Sequence, residues 1–389
     1  MYISNINLFK SLFIITIFLS GFFIFLNPIS ASEIHIFPGE NIVTKIGSAV
    51  SGDTVYIHAG TYSITSTIIV KQSNIKIIGD NPINTIIDGN GIVRSDRCLD
   101  ATNRDYITIE NLTLKNSYRL IEFRDNSTVN NCILYGKNTG GHSTLVGKDN
   151  CKVMNTIVTG GKWDGIKVEN NGYIFNCLSF NNGDNGIQVG ANSYVLSCTS
   201  ANNGIRPDAG DSSGIVARLT APNSPLLDNL TVRDCIVINN LGKPNMNNLV
   251  GGIAAKSGTI TYTNIYNCRG SPIGLTIGSG VIYDDPKLID GVSSFYLNPF
   301  SPAVDRGSDT SKNLGLYEGF TTRSDQYWDI LTVDMGFHYN SGEGPLVENK
   351  NKPMDQIIRI LNLNTPKNIG EIIEDCEANP DAEGCKPSQ

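Results

Sequence analysis

Four aspartates, Asp164, Asp184, Asp208 and Asp211, fall on short polar loops between apolar segments. Close to them in the pattern stand the cations Lys167, Arg218 and Lys256, with Lys148 and Glu169 at matching places in neighbouring segments. Carboxylates beside cations can do two kinds of chemistry. Oxygen-rich loops suit calcium, which accepts carboxylates in a flexible shell and can bridge an acidic protein to an anionic sugar. Lys or Arg neutralises an anion, or serves as base where its pKa is depressed. Lys167, Arg218 and Lys256 are therefore the candidate catalytic residues. Trp163 offers a ring face for stacking on a sugar, and Trp163, Lys148, Glu169, Asp208 and Asp211 are the candidate substrate contacts. The competing reading is structural, because Asp and Asn in turns commonly bond nearby backbone N–H groups and surface Lys and Arg are commonly just solvated.

A repeat must position these side chains. Asp164-Gly165-Ile166-Lys167-Val168 returns 21 residues later as Asn185-Gly186-Ile187-Gln188-Val189. Two families of segments alternate along the chain. One includes "STVNNCILYG", "GYIFNCLSFN" and "LTVRDCIVIN"; the other includes "RLIEFRDN", "DGIKVENN", "NGIQVGAN" and "SGIVARLT". Most show period-2 apolar alternation, a strand signal, and most end in Asn or Gly, which tolerate positive φ. Short strands at this period cannot bury a face alone, whereas stacked copies bury a continuous core. The fold expected is all-β, a right-handed parallel β-helix. No fixed Leu spacing supports a leucine-rich repeat, and a β-sandwich leaves the 21-residue similarity unexplained. Aligned as coils, the second family gives two outward columns. One runs Glu122, Val146, Lys167, Gln188, Val216, Ala254; the other Arg124, Lys148, Glu169, Gly190, Arg218, Lys256.

Composition agrees. Charged residues are 17% of the chain and the formal net charge is −7. With no basic run, nucleic acid is excluded as a partner, since phosphate binding needs clustered Lys and Arg. Lys10 precedes an apolar run, Leu12–Leu26, and small residues end at Ala31, the layout of a secretory signal; an uncleaved N-terminal anchor is the alternative. The expected organisation is a signal peptide at 1–31, a β-helix domain at 32–340, and a linker and tail at 341–389 with short helical stretches. Cys132, Cys177, Cys198 and Cys235 repeat in phase and read as reduced, stacked core residues, because strands about 4.8 Å apart are slightly too wide for a disulfide. Cys376 and Cys385 lie in the tail and could close a short loop. The four His (His35, His58, His142, His338) are scattered in sequence, so no zinc site is expected, and no Ser-His-Asp set is visible. His142, in "GGHST", does not reproduce a glycosidase Gly-His-Gly.

Pro38-Gly39, "GDTVYI" at 52–57, Gly60-Thr61-Tyr62, "SNIKIIG" at 73–79 and "TIIDG" at 85–89 together resemble the first coils of exported right-handed parallel β-helix proteins. Near the end, "SPAVDRGSDT" and "VDMGFHY" are similar to the closing signature of cell-surface β-helix proteins. The stretch 164–188 resembles the calcium-binding coils of family 9 pectate lyases. Asp164 and Asp184 match two family carboxylates, while Asn185 and Gln188 stand where the family has Asp. The resemblance implies calcium held by Asp164, Asp184, Asn185 and Gln188, weakened by the two amides, with Asp164 and Asp184 facing solvent. Two functions follow as expectations: a secreted, calcium-assisted lyase for acidic polysaccharide, or a non-catalytic cell-surface β-helix that binds glycans. Either would act as a monomer.

Overall fold

The computed structural model describes residues 31–340 apart from 93–96, 138–141, 206–212, 219–223, 241–250, 271, 292–293 and 318. The segment before residue 31 that the sequence suggests as a signal, the tail with Cys376 and Cys385, and both Asp208 and Asp211 lie outside the described residues.

Among the described residues, short strands stack into three parallel sheets of eleven, nine and eight strands, here called A, B and C. Sheet A starts at Glu33–Ile36 and ends at Thr276–Ile277; sheet B runs from Gly60–Ser63 to Asn264–Tyr266; sheet C from Ile68–Ile69 to Ile253–Ala254. Among the described residues, eight successive coils, from Thr54–Ile57 to Ile253–Ala254, each contribute one strand to each sheet, the arrangement of a parallel β-helix with right-handed crossovers. The repeated phrase is two coils in register: Ile166 pairs with Ile187, Lys167 with Gln188 and Val168 with Val189. Ile166, Val168, Ile187 and Val189 are buried. The first outward column of the second family follows this register, through Glu122, Val146, Lys167, Gln188, Val216 and Ala254.

Asparagine makes the turns. Asn111, Asn131, Asn155 and Asn176 close one turn of successive coils with φ between 47° and 58°, a region Asn enters more readily than most residues. Their carboxamides bond along the stack, Asn131 Nδ2 to Asn111 Oδ1 and Asn176 Nδ2 to Asn155 Oδ1, both at 2.9 Å. A second, buried ladder joins Asn182, Asn203 and Asn240 at 3.0 Å per step.

The cysteines form an internal column. Cys177 N–H donates to Cys198 Sγ (3.3 Å) and Cys198 N–H to Cys235 Sγ (3.4 Å). Thr156 and Thr263 hold the equivalent place in coils that lack Cys, each accepting the neighbouring Cys N–H. The seven described cysteines are free thiols. Burial pushes the Cys132 and Cys151 thiols up to about 12 and Cys268 to about 11, and raises Cys198 and Cys235 well above the ordinary value. Because the thiolate is the reactive form, alkylation at pH 8 should leave the coil cysteines unmodified in native protein and label them on denaturation. Cys268, which is half-buried, should react first. Rapid native labelling of Cys198 would contradict the column.

Two features were not expected. A helix, Ile42–Ser48, packs Ile42 and Ile46 against the first coils; Asn41 caps it by accepting from Thr44 N–H. The stack also stops short of residue 340. Its last regular strand is Thr276–Ile277, and most of the later residues turn back along the outside of sheet B. Phe295, Tyr296, Leu297, Met335, Phe337 and Tyr339 cover outward Ile133, Ile157, Leu178, Phe180, Ile236 and Ile238. The outer face of this sheet is apolar in those coils, so a further segment must bury it. Asn176 clasps the segment as a strand would, donating to His338 O (2.9 Å) and accepting from His338 N–H (2.6 Å). Gly336, at φ +99°, passes so close that a Cβ would meet Ile236 and Thr199 at 2.8 Å.

The closing signature forms a buried polar clasp. Asp334 accepts from Asp305 N–H (2.7 Å) and from the Thr322 hydroxyl, and Asp329 accepts from Asp334 N–H (2.6 Å) and lies 2.9 Å from His338 Nε2. Burial, then the neighbouring Asp329 carboxylate, push Asp334 up to about 6 from 3.8, against the opposing pull of Thr322, Asp305 and His338. A raised carboxyl favours the folded state when protonated. Its contribution is therefore full below the ordinary value and is lost as pH rises from about 4 through 6. Asp334→Asn should flatten the decline of thermal stability across that window. An unchanged pH profile would remove Asp334 from the clasp.

Candidate functional site on the outer face of sheet C

The outward side chains of sheet C change character along the stack. At the C-terminal end Val216 and Ala254 are buried against Leu226, so the expected cationic face does not continue openly to Arg218 and Lys256. Arg218 is itself buried at 8% exposure, and Lys256 is an exposed side chain paired with Asp228 at 2.9 Å. Lys148 and Glu169 pair with each other across adjacent coils, and Trp163 is half-buried beside Asp164.

The expectation that Asp164 and Asp184 face solvent is not met. Asp164, Asp184, Asn185 and Gln188 are all 3–4% exposed. Three of them are joined: Asp164 Oδ1 accepts from Asn185 Nδ2 (2.7 Å) and Asn185 N–H (3.3 Å), and Asp164 Oδ2 accepts from the Ser143 hydroxyl (2.8 Å). Asn185 Oδ1 accepts from Ser213 N–H (2.8 Å), and Gln188 Oε1 from Asn185 Nδ2 (3.3 Å). These contacts fix the orientation of Asn185, since a flip would set oxygen against Asp164 and NH2 against the Ser213 amide. As arranged, both Asp164 oxygens and the side-chain oxygens of Asn185 and Gln188 already accept from protein donors, which counts against calcium at these three residues. The correction has a physical reason: in a coil already packed on both sides, an amide can bridge a carboxylate to backbone, and a second carboxylate cannot. A separate acidic group, Asp305, Asp329 and Asp334, belongs to the clasp described above.

What the face does present is a set of donors. Lys167 is half-buried and makes no hydrogen bond or ion pair with a described residue. Its register partner Gln188 has a buried Nε2 with no hydrogen-bond partner among the described residues. An orphaned buried donor costs about 1–3 kcal/mol, so the pair is set to meet an acceptor, and an anion suits it best.

Toward the N-terminal end the same face carries a half-buried ionic cluster. Glu122 accepts from both Arg97 and Arg119, Arg97 lies 3.4 Å from Asp100, and Arg119 Nη2 is 3.0 Å from His142 Nδ1. Burial, then the positive charges of Arg119 and Arg97, lower the His142 pKa, partly opposed by Glu122. His142 precedes Ser143, which bonds Asp164, so the cluster and the Lys167 coil share one edge. Sequence reading passed over Arg97, Arg119 and the placement of His142. The signal was present: "RCLDATNR" at 97–104 matches "RLIEFRDN" at 119–126, and the structure pairs Arg97 with Arg119 and Asp100 with Glu122.

Stacked parallel sheets with polar side chains gathered on one outer face define the class: a parallel β-helix. Residues 39–206 match the family model described as rhamnogalacturonase A/epimerase, pectate lyase-like. No curated protein matches the chain. Among solved structures, pectate lyase Pel9A is 15% identical with a TM-score of 0.44, covering 84% of this chain and 93% of that one. The A-module of mannuronan C-5 epimerase AlgE4 from Azotobacter vinelandii is 13% identical, TM-score 0.34, covering 59% and 66%. ORF18 of Geobacillus virus E2 is 16% identical, TM-score 0.41, covering 61% of this chain; this chain spans 50% of that one.

Proposed function

We propose that this protein binds an acidic, uronate-bearing polysaccharide on the outer face of sheet C and cleaves it by β-elimination. The observation that carries the reading is the donor pair Lys167 and Gln188, adjacent in register, whose Lys167 ammonium and Gln188 Nε2 have no acceptor among the described residues. A uronate carboxylate would take hydrogen bonds from both, and Lys167 would neutralise the charge that builds up on the carboxylate as the C5 proton leaves. His142 is assigned the base. Its lowered pKa keeps the ring neutral at pH 7, and its Nδ1 lone pair is held by Arg119. A substrate carboxylate is a stronger acceptor for a guanidinium than imidazole is, so substrate would draw Arg119 away and free that lone pair. The proton then passes from C5 to His142, the electron pair forms the C4–C5 double bond, the C4–O bond breaks, and the leaving oxygen takes a proton from solvent. No step is assigned to calcium. Export to the cell surface or medium, proposed from the N-terminal segment, would bring the protein to such a polymer.

A second reading, non-catalytic glycan binding at the surface, is favoured by the closed hydrogen-bond network at Asp164. The two separate in one experiment, a panel of acidic polysaccharides followed by ultraviolet absorbance. Lyase action yields an unsaturated uronate that absorbs; binding without absorbance supports the second reading, and neither signal refutes both. If His142 is the base, the acid limb of the rate profile should fall below the ordinary histidine value of 6.5 and move up toward it in Arg119→Gln. An acid limb unmoved by that substitution would exclude His142.

A further inference from the structure

We propose that His35 and His58 form a site for a divalent first-row transition-metal ion, such as Zn²⁺ or Ni²⁺, on the first coils of sheet A. The two residues are 23 positions apart, but the register pairs His35 with Tyr56, and His58 lies two residues further along the same face. This corrects the reading of the histidines as scattered. His35 Nδ1 and His58 Nε2 face each other at 3.0 Å. The far nitrogen of each ring turns to a carboxylate: His35 Nε2 lies 3.7 Å from Glu33, and His58 Nδ1 lies 3.4 Å from Asp80. Asp80 is itself held by Ala59 N–H at 2.8 Å.

A metal ion between the two rings would take one lone pair from His35 Nδ1 and one from His58 Nε2, the nitrogens that already face each other at 3.0 Å, with each far nitrogen left toward its carboxylate. Carboxylate-backed imidazole is the usual surrounding of a metal-bound histidine, because it fixes the tautomer and raises ligand basicity. Metal–nitrogen bonds of about 2.0–2.1 Å at a tetrahedral angle set the two nitrogens about 3.3 Å apart. The rings are now nearly coplanar, at 11°, so they must tilt slightly to converge. Both are partly exposed, at 44% and 30%, and are free to tilt. Phe37 stacks on His58 (4.3 Å) and Tyr56 on His35 (5.2 Å), which limits how far the rings can move. Imidazole selects zinc, nickel and copper over calcium and magnesium, and solvent would fill the remaining positions.

The test is calorimetric titration of the full-length protein with Zn²⁺ and, separately, Ni²⁺, in buffers of different ionisation enthalpy. One saturable site that releases protons is expected, since ligands must give up protons to bind metal. His35→Ala and His58→Ala should each abolish that site, with His35→Gln and His58→Gln as second variants, and circular dichroism should confirm that all remain folded. Asp80→Asn should weaken binding about tenfold, and His142→Ala should leave it unchanged. Wild-type protein that binds neither ion, or folded His35 and His58 variants that bind as the wild type does, would overturn the proposal.

Discussion

Replacing Lys167 by methionine is expected to weaken binding of a uronate oligosaccharide by about 10- to 100-fold, the loss of one charge-assisted hydrogen bond. Thermal stability should hardly change, because Lys167 has no ion pair with a described residue to lose. Its neighbour gives the opposite signature. Gln188→Met removes a buried amide N–H that has no partner among the described residues, and with it a penalty of about 1–3 kcal/mol, at the expense of a long 3.3 Å contact to Asn185. The variant should melt higher than the wild type and bind the oligosaccharide more weakly. Stability and affinity moving apart at one residue is the mark of a group retained for a ligand. If Gln188→Met lost both together, the amide would be structural and the site would have to be sought elsewhere.

The second large effect is expected at Asn185→Asp. That change sets a carboxylate at the place from which Asn185 Nδ2 now donates to Asp164 over 2.7 Å. Two buried like charges cannot both stay ionised there, so one carboxyl of the pair is driven upward. The loss should be about 3–5 kcal/mol at pH 7, the cost of an uncompensated buried charge. The sign fixes the pH dependence: stability should return as pH falls through the raised value and one carboxyl takes a proton. Calcium distinguishes this account from a latent metal site. In the wild type, added calcium should leave the unfolding midpoint unchanged, since the oxygens of Asp164 are already occupied. A midpoint that climbs with calcium concentration, as binding to the folded state alone requires, would show that the network opens.

The fold was legible because it is written many times over. A 21-residue phrase puts Ile166 on Ile187 and Cys177 on Cys198, and every coil restates the inward and outward assignments. The turn asparagines follow from the same repetition, since one φ > 0 position per turn recurs at Asn131, Asn155 and Asn176. The site was legible only in part. Register gave the column that contains Lys167 and Gln188, but column position does not reveal what covers a side chain. Val216 and Ala254 share the outward parity of Lys167 and are buried against Leu226, and Arg218 shares that parity and is buried too. Asn185 and Gln188 could be identified as departures from a carboxylate pattern. That Asn185 bridges Asp164 to the Ser213 backbone is a three-dimensional fact with no local signal. The pairing of His35 with His58 needed the exact register of two strands, as did the docking of Gly336 to His338 on Asp234, Thr199 and Asn176.

The claim on which the account turns is that sheet C offers Lys167 and Gln188 to a carboxylate. The most direct measurement is a binding titration of wild type and Lys167→Met with matched oligosaccharides, one uronate-bearing and the other with its carboxylates reduced to alcohols. Wild-type protein should bind only the acidic chain strongly, with an affinity that falls as salt rises, and Lys167→Met should lose most of that preference. Equal binding of the two oligosaccharides by wild type, or an undiminished preference in Lys167→Met, would contradict it.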